Sequence, residues 1–387
     1  MPFSRPPSLG LLTIAKNEAQ NLPKSLEPLV KVVGEAVFVD TGSTDGSQSL
    51  AAAMGARVYS FPWVNDFSLA RNFALSQMTA DYVFWLDGDN AVDPLALAAF
   101  KKTLSEKPTV YLALERVIPQ GDEIWQTRIF PNLPPAHWEG QIHEQLICPP
   151  SWPRVVSSLI VDHWGYADPR LAQKKGERNL ALLLKTPLNQ ANPYHLYQTG
   201  RTLYYLRRRL EARPWLEEAA NKAENPALFS HSLILLGSVY QTLGDHKAAL
   251  AAFERLTASR PDYGPGHYFL GRYLTLTDPA RALKELELAL AYGLADPGWG
   301  ANGPKLSFIA SLTLGKLRFK AKDYPLAEKH LTAALNLDPA NPEPALELAR
   351  LALAKGEKKV AKATLTAVLS RFPNLRGALV LAKELNL

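Results

Sequence analysis

The rhythm of apolar and polar positions changes once along the chain. Up to about residue 168, short apolar runs alternate with polar turns and helical stretches. Beyond Asp168-Pro169 the strand signals disappear and helical spacing takes over. The first half opens with a strand-like run at Leu9, a polar turn, and a helical pattern reaching Leu29. Ala36 to Val39 forms a second strand that runs into Asp40 and a glycine-rich turn, Thr41 to Ser47. An alanine-rich helix follows from Ser49 to Met54, with Gly55 placed to end it. Arg57 to Phe61 reads as a third strand. In VFWLDGDN, Val83 to Asn90, four apolar or aromatic residues lead into two aspartates. This predicts a buried strand with Asp87 and Asp89 at its carboxyl end, where open α/β sheets place ligand crevices. Strands and helices alternating at this spacing predict a parallel sheet with helical crossovers.

The second half repeats. Leu236-Gly237, Tyr240, Gly244-Asp245, Ala249, Phe253 and Pro261 match the 34-residue tetratricopeptide pattern. Ala327 to Pro339 and Ala361 to Pro373 reproduce the step from Ala249 to Pro261. Residues 264–307 read as a degenerate unit with an insertion (GLADPGWGANG), and 193–226 as a divergent first one. Helical pairs of this kind stack into a superhelix with a concave groove. The stack is either purely structural or a surface for peptide binding or self-association.

Composition adds limits. A chain of 387 residues has room for two domains, and 47% hydrophobic with 21% charged residues describes a globular protein. No apolar run approaches the ~18 residues that span a bilayer, and the early break at Lys16-Asn17-Glu18 argues against a signal peptide. The single cysteine, Cys148, excludes a disulfide framework, fits a reducing cytoplasm, and reads as packing rather than nucleophile. Residues 1–187 carry a net charge of −2 and residues 188–387 one of +8, an asymmetry that supports two domains with different partners, expected as 1–187 and 188–387. The densest basic cluster (Arg201, Arg207, Arg208, Arg209, Arg213) has no nucleic-acid-binding motif beside it. It reads as a solvated helix face, or as a site for an acidic acceptor or membrane surface.

The candidate chemistry sits in the first half. Two hard carboxylates on a strand end suit Mg²⁺ or Mn²⁺ carried with a phosphate substrate, and Gly88 leaves room against the backbone. An ordinary acidic turn is the alternative, since DGDN is rich in turn formers. The Thr41–Ser47 turn lacks both the Gly-Lys-Ser/Thr of a P-loop and a dinucleotide fingerprint. Asp40 is placed to hydrogen-bond a base or ribose, or simply to cap the turn. His143-Glu144 begins like a zinc-protease motif, but residue 147 is isoleucine and the second histidine is missing.

TIAKNEAQNLPKSL, VFVDTGSTDGS, DFSLARNFAL, WLDGDN, TRIFPN, EGQIHEQL and DHWGY occur here in the order and spacing of family 2 glycosyltransferases. The chain resembles the bacterial branch that includes lipopolysaccharide-core glucosyltransferases and peptide S-glycosyltransferases of the sublancin type. The resemblance covers most of residues 9–185. It implies a GT-A fold, a Rossmann-like mixed sheet in residues 1–187, followed by an all-α tetratricopeptide-like superhelix in 188–387. It further implies that Thr13, Asn17, Glu18, Asp40, Arg71 and Asp87 bind the nucleotide sugar. Asp87, Asp89 and His163 would hold Mn²⁺ or Mg²⁺. Glu144 would be the base, with His143 orienting the acceptor or serving structurally. The branch usually has an acidic residue after the second aspartate. Asn90 keeps an oxygen there but loses a charge, which weakens the metal site. Trp63, Trp125 and Trp138 offer stacking surfaces, although each also suits a core.

These readings converge on a cytoplasmic, metal-dependent, inverting transferase, free or peripheral to the inner membrane face. Its donor would be a nucleoside-diphosphate sugar, a UDP-sugar first among them, and a peptide, lipid or glycan acceptor would be recruited by the repeats. The repeats are alternatively a route to homo-oligomers. The rival is a tetratricopeptide scaffold whose transferase domain has weakened catalysis, with Asn90 as its support. A second rival, a sugar-nucleotide-modifying enzyme with no separate acceptor such as a nucleotidyltransferase, is opposed by the absence of a basic glycine-rich phosphate loop near the amino terminus of this chain.

Overall fold

The computed structural model describes residues 6–118, 122–165, 168–296 and 303–385. Tyr166 of the DHWGY motif, residues 297–302 of the insertion, and the first five residues of the amino terminus lie outside them. Ten strands occur among the described residues: β1 (Leu9–Ala15), β2 (Glu35–Asp40), β3 (Arg57–Ser60), β4 (Tyr82–Trp85), β5 (Asn90–Ala91), β6 (Val110–Val117), β7 (Asp122–Pro131), β8 (His137–Glu139), β9 (Gln145–Ile147) and β10 (Arg154–His163). Eight of them form one sheet in the order β3-β2-β1-β4-β7-β6-β10-β5, and β8 and β9 form a separate pair. Strands β3, β2, β1 and β4 run parallel, as the alternating pattern predicts. Strand β7 is antiparallel to both neighbours, so the sheet is mixed.

Alternation within each strand explains the continuous apolar runs. Leu9, Leu11, Phe38, Tyr82 and Phe84 are buried in one core cluster. Leu12, Ile14, Val37, Val39 and Val83 are buried in another. Because successive side chains point to opposite faces of a sheet, a strand covered on both sides needs apolar residues throughout. The crossovers are α1 (Leu22–Ser25), α2 (Glu27–Val30), α3 (Ser47–Ala53) and α4 (Phe67–Ser76). Asp66 starts α4 by accepting a hydrogen bond from the Leu69 amide at 3.0 Å. Helix α5 (Pro94–Lys101) precedes β6, and α6 (Pro169–Leu183), α7 (Pro193–Tyr205) and α8 (Arg209–Lys222) follow β10.

The described chain separates into two compact units, one ending at Ala223 and the other beginning at Glu224. Helices α7 and α8, which charge and repeat pattern assign to the second half, pack with the first unit. The second unit is entirely helical among the described residues: α9 (Pro226–Leu243), α10 (His246–Ser259), α11 (Gly264–Leu274), α12 (Pro279–Tyr292), α13 (Gly303–Lys320), α14 (Tyr324–Leu337), α15 (Pro342–Ala354), α16 (Lys358–Arg371) and α17 (Arg376–Glu384). The repeat signature has a steric origin. A Cβ on Gly237 would come within 2.5 Å of the Phe253 ring on the partner helix, so only glycine lets α9 and α10 approach this closely. The same sixteen-residue relation joins Gly315 to Leu331, and also Gly200 to Leu216 in α7 and α8. The divergent first pair is therefore built like the others. Asp245 caps α10, and Pro261, Pro339 and Pro373 each stand two residues beyond a helix end. No described helix is long and apolar enough to cross a membrane.

Candidate active site

The carboxyl ends of β1, β2 and β4 carry the candidate residues. Strand β4 ends at Trp85, and Asp87, Gly88 and Asp89 follow before β5 returns antiparallel to β10. On β2, Asp40 is almost wholly buried. Its Oδ2 accepts from the amides of Gly42 and Ser43, both at 2.9 Å, and from Gln48 Nε2 at 2.7 Å. Burial pushes this carboxyl upward, but the donors from Ser43, Gln48 and Gly42 outweigh it and hold the group below its usual range. The capping role is thus real for one oxygen. The other, Oδ1, is buried with no hydrogen-bond partner.

The glycine-rich turn braces the loop after β1. Asn17, at a positive φ of 58°, donates its amide to Ser43 Oγ and accepts from the Thr44 amide, both at 2.8 Å. Ser47 Oγ accepts from the Glu18 amide at 2.9 Å. Thr13 is buried in β1. The space beside Gly88 is taken by Glu18: a Cβ on Gly88 would lie 2.6 Å from Glu18 Cγ. The small residue makes room for the chain's own side chain. Burial raises the Glu18 carboxyl, and the nearby Asp89 adds to that.

Arg71 binds the site together. It is 4% exposed on α4. Its Nη2 donates to Asp87 Oδ1 at 2.8 Å and its Nε to Glu144 Oε1 at 2.5 Å. The guanidinium carbon lies 4.3 Å from the centroid of the Trp85 ring. Nη1 is buried with no partner. Burial pushes the Asp87 carboxyl upward, but Arg71 and Arg128 more than reverse this and hold it below the usual range. Glu144, on the loop between β8 and β9, has one oxygen fixed by Arg71.

Arg128 was not singled out by its motif. It is 2% exposed, pairs with Glu115, and stacks 4.0 Å from the Trp85 centroid. Its Nε and Nη1 are buried without partners. A signal did exist, because Arg128 shares a strand face with the core residue Phe130, and a charge at an inward strand position is costly unless used. His143 adopts a positive φ of 53°. Burial, with Arg201 and His195 nearby, pushes it down to about 4, so the ring is neutral near pH 7. Its Nε2 is buried without a partner. Trp138 packs edge-on against Phe130 at 5.1 Å and belongs to the core. Cys148 also packs against that core.

Asp89, Asn90 and His163 form a second cluster. Asp89 Oδ2 accepts from Lys175 Nζ on α6 at 2.8 Å, and Oδ1 lies 3.5 Å from His163 Nδ1. Asn90 Oδ1 accepts from the Asp87 amide at 3.1 Å, while its Nδ2 meets His163 Nδ1 at 2.7 Å. Lys175 has no motif around it that would have flagged it. Asp87 faces Arg71 and Asp89 faces Lys175. Among the described residues no three His, Cys, Asp or Glu side chains gather as a metal donor set. The residues as placed therefore do not fit a cation held jointly by Asp87, Asp89 and His163.

Residues 11–159 match the family model described as glycosyl transferase family 2, and residues 230–263 and 318–384 match tetratricopeptide repeat models. The chain is 26% identical over 297 residues to a TPR repeat-containing protein of Synechococcus elongatus, covering 73% of each. It is 23% identical over 311 residues to the SPbeta prophage-derived glycosyltransferase SunS of Bacillus subtilis, covering 76% of this chain and 73% of that one. An uncharacterized glycosyltransferase of Rickettsia felis is 32% identical over 81 residues, which is 21% of this chain and 28% of that one. Among solved structures, YrrB, a TPR protein with an unusual peptide-binding site, aligns with a TM-score of 0.41 and 19% identity over 49% of this chain and 91% of that one. With the mixed sheet, the carboxylates paired with the buried Arg71 and the helical repeats in view, the chain is a glycosyltransferase that carries a family 2 domain followed by tetratricopeptide repeats.

Proposed function

We propose that the first unit transfers a sugar, with inversion, from a nucleoside-diphosphate sugar to a peptide, lipid or glycan acceptor that the repeats recruit. The observation that carries this reading is the buried Arg71, which ties Glu144 and Asp87 into one network at the end of β4. Glu144 Oε1 is fixed by the guanidinium, leaving Oε2 to take the acceptor's proton. As the acceptor's lone pair attacks the anomeric carbon, the bond from that carbon to the phosphate oxygen breaks. The electron pair leaves with the nucleoside diphosphate, and the proton goes to Glu144. Asp40 Oδ1, buried and without a partner, is a ready acceptor for a base N–H such as that of uracil. Thr13, Asn17 and Glu18 shape the loop beside it. Neutral His143 lies next to the base in sequence and would orient the acceptor. The resemblance implies Mn²⁺ or Mg²⁺ at Asp87 and Asp89. Those carboxylates are already matched by Arg71 and Lys175, and no step here runs through a metal.

A thermal-shift screen of UDP, GDP, CDP and TDP tests the donor site, because a ligand that binds only the folded state stabilises it by mass action. One nucleotide should raise the transition of wild type and not of Asp40→Ala. Equal or absent shifts for all four in both proteins would contradict it. Turnover of a donor sugar separates this reading from a repeat scaffold with a weakened transferase domain.

A further inference from the structure

The arginines between α7 and α8 take no part in the site described above, and the chain's own repeats show what is unusual about them. Gly200, Gly237 and Gly315 each admit the side chain that stands sixteen residues on in the next helix, so the three helix pairs correspond position by position. Seven residues beyond each glycine the chain turns at a positive φ: 62° at Arg207, 80° at Gly244 and 61° at Lys322. The next residue caps the following helix in two of the three. Asp245 accepts from the Ala248 amide and Asp323 from the Leu326 amide. In the first pair that residue is Arg208, whose side chain makes no cap. Glycine and aspartate would both be more stable at these two positions. Arg208 and Arg209 also place positive charge at a helix N-terminus, where the dipole opposes it. Local stability is given up here to hold three arginines at one turn.

Two large apolar side chains flank them. Tyr205 is 65% exposed and Leu210 is 68% exposed. The corresponding positions are Thr242 and Lys247 in one pair, and Lys320 and Pro325 in the other. The interior of α7 and α8 does not need Tyr205 or Leu210, because Leu203, Ala212 and Leu216 already fill it. The charges around the turn are of both signs. Arg208 donates to both carboxylate oxygens of Glu211, at 2.7 and 2.6 Å, with Glu177 3.9 Å away. Arg209 lies 4.0 Å over the Tyr204 ring, and Arg201 lies 5.5 Å from the centroid of Tyr205. Glu211 offsets Arg208, while the exposed Arg207 and Arg209 leave residues 205–210 positive.

We propose that the turn between α7 and α8 docks on an anionic lipid surface, with Tyr205 and Leu210 entering the headgroup layer and the arginines meeting lipid phosphates. Aromatic and leucine side chains beside basic residues suit the bilayer interface. Each arginine near an anionic surface adds about fivefold in affinity. An acidic polypeptide would use the same charges, but it does not call for two apolar side chains standing out into solvent on either side of them. With no described helix able to cross a membrane, the contact is peripheral.

The test is co-sedimentation of the full chain with vesicles of phosphatidylcholine alone or mixed with phosphatidylglycerol. Wild type should sediment with the mixed vesicles, stay in solution with phosphatidylcholine, and be released in about 1 M NaCl, where charges are screened beyond about 3 Å. Arg207→Gly/Arg208→Asp gives this turn the residues of the second pair, Gly244 and Asp245. It should melt at or above the wild-type temperature, because it gains a cap and relieves a positive φ. It should nevertheless bind mixed vesicles about 100-fold more weakly, the effect of three units of charge. Tyr205→Ser/Leu210→Ser keeps every charge and alters only exposed side chains. It should melt like wild type and bind at least about tenfold more weakly. Wild type that stays in solution with the mixed vesicles would overturn the proposal and leave an acidic polypeptide as the partner of these arginines. Equal binding to both kinds of vesicle, or wild-type binding by either variant, would overturn it as well.

Discussion

Replacing Arg71 with methionine should destabilise the first unit more than it disturbs its shape. Methionine keeps most of the stem volume packed on Trp85, so the loss is electrostatic. It strands Glu144, whose side chain is 11% exposed, and Asp87, which is 38% exposed. Breaking a buried ion pair costs about 3–5 kcal/mol, because the remaining charge stays desolvated. Asp87 retains Arg128 nearby and its exposure screens it, so most of the cost falls on Glu144. The low end, about 3 kcal/mol, is the expectation, corresponding to a fall of about 6–12 °C in the transition of a unit this size. Differential scanning calorimetry would follow that transition apart from the repeats, and the Arg71→Met/Glu144→Gln double variant should recover at least half of the loss. A single variant that unfolds with wild type, or a double variant that gains nothing, would refute the claim that Arg71 is held by these carboxylates.

Three further outcomes follow from the geometry. His143 is held far below its ordinary value, so between about pH 6.5 and pH 4 the unfolded chain binds a proton that the folded one does not. Stability is then full above pH 6.5 and falls by about 3 kcal/mol as pH drops to 4. His143→Asn, which tolerates the same positive φ, should flatten that dependence in urea titrations, and an unchanged slope would contradict the assignment. Gly165→Ala should displace Asp89 from Lys175, because its Cβ would overlap Asp89 Oδ2, and should lower the melting temperature of the first unit in calorimetry; a wild-type melt would show that the Gly165 backbone does not lie against this pair. Gly237→Leu should melt the second unit at a lower temperature while leaving the nucleotide-dependent shift of the first intact, and an undisturbed melt would mean the α9–α10 contact is not as close as described.

Much of the fold was legible because its rules are local. The apolar runs at Leu9, Ala36 and Val83 could only be strands covered on both faces, and the Gly237–Phe253 spacing encodes a helix contact directly. Two features were not legible. The antiparallel course of β7 depends on long-range pairing with β4 and β6 that no local period records. The partners of the site residues were hidden for the same reason. Lys175 reaches Asp89 across 86 positions, and Arg71 reaches Glu144 across 73. Position at a strand end marked Asp87 and Asp89 as candidates, and the family resemblance marked Glu144, but neither showed that cations of the chain itself meet each of them. Gly88 shows the same limit: its lack of a side chain was readable, whereas its neighbour, Glu18, was not.

The central claim is that Glu144 takes the acceptor's proton while the donor is held elsewhere. Glu144→Gln keeps the volume and an oxygen for the Arg71 Nε–H, but removes the proton acceptor. The deciding measurement is steady-state transfer to a hydroxyl acceptor by this variant, alongside its nucleotide affinity. Transfer should fall by about 10²–10⁴-fold with affinity unchanged. A thiol acceptor, which ionises near neutral pH without help, should lose much less. Hydroxyl transfer near the wild-type rate, or a collapse of nucleotide binding together with the rate, would contradict the account.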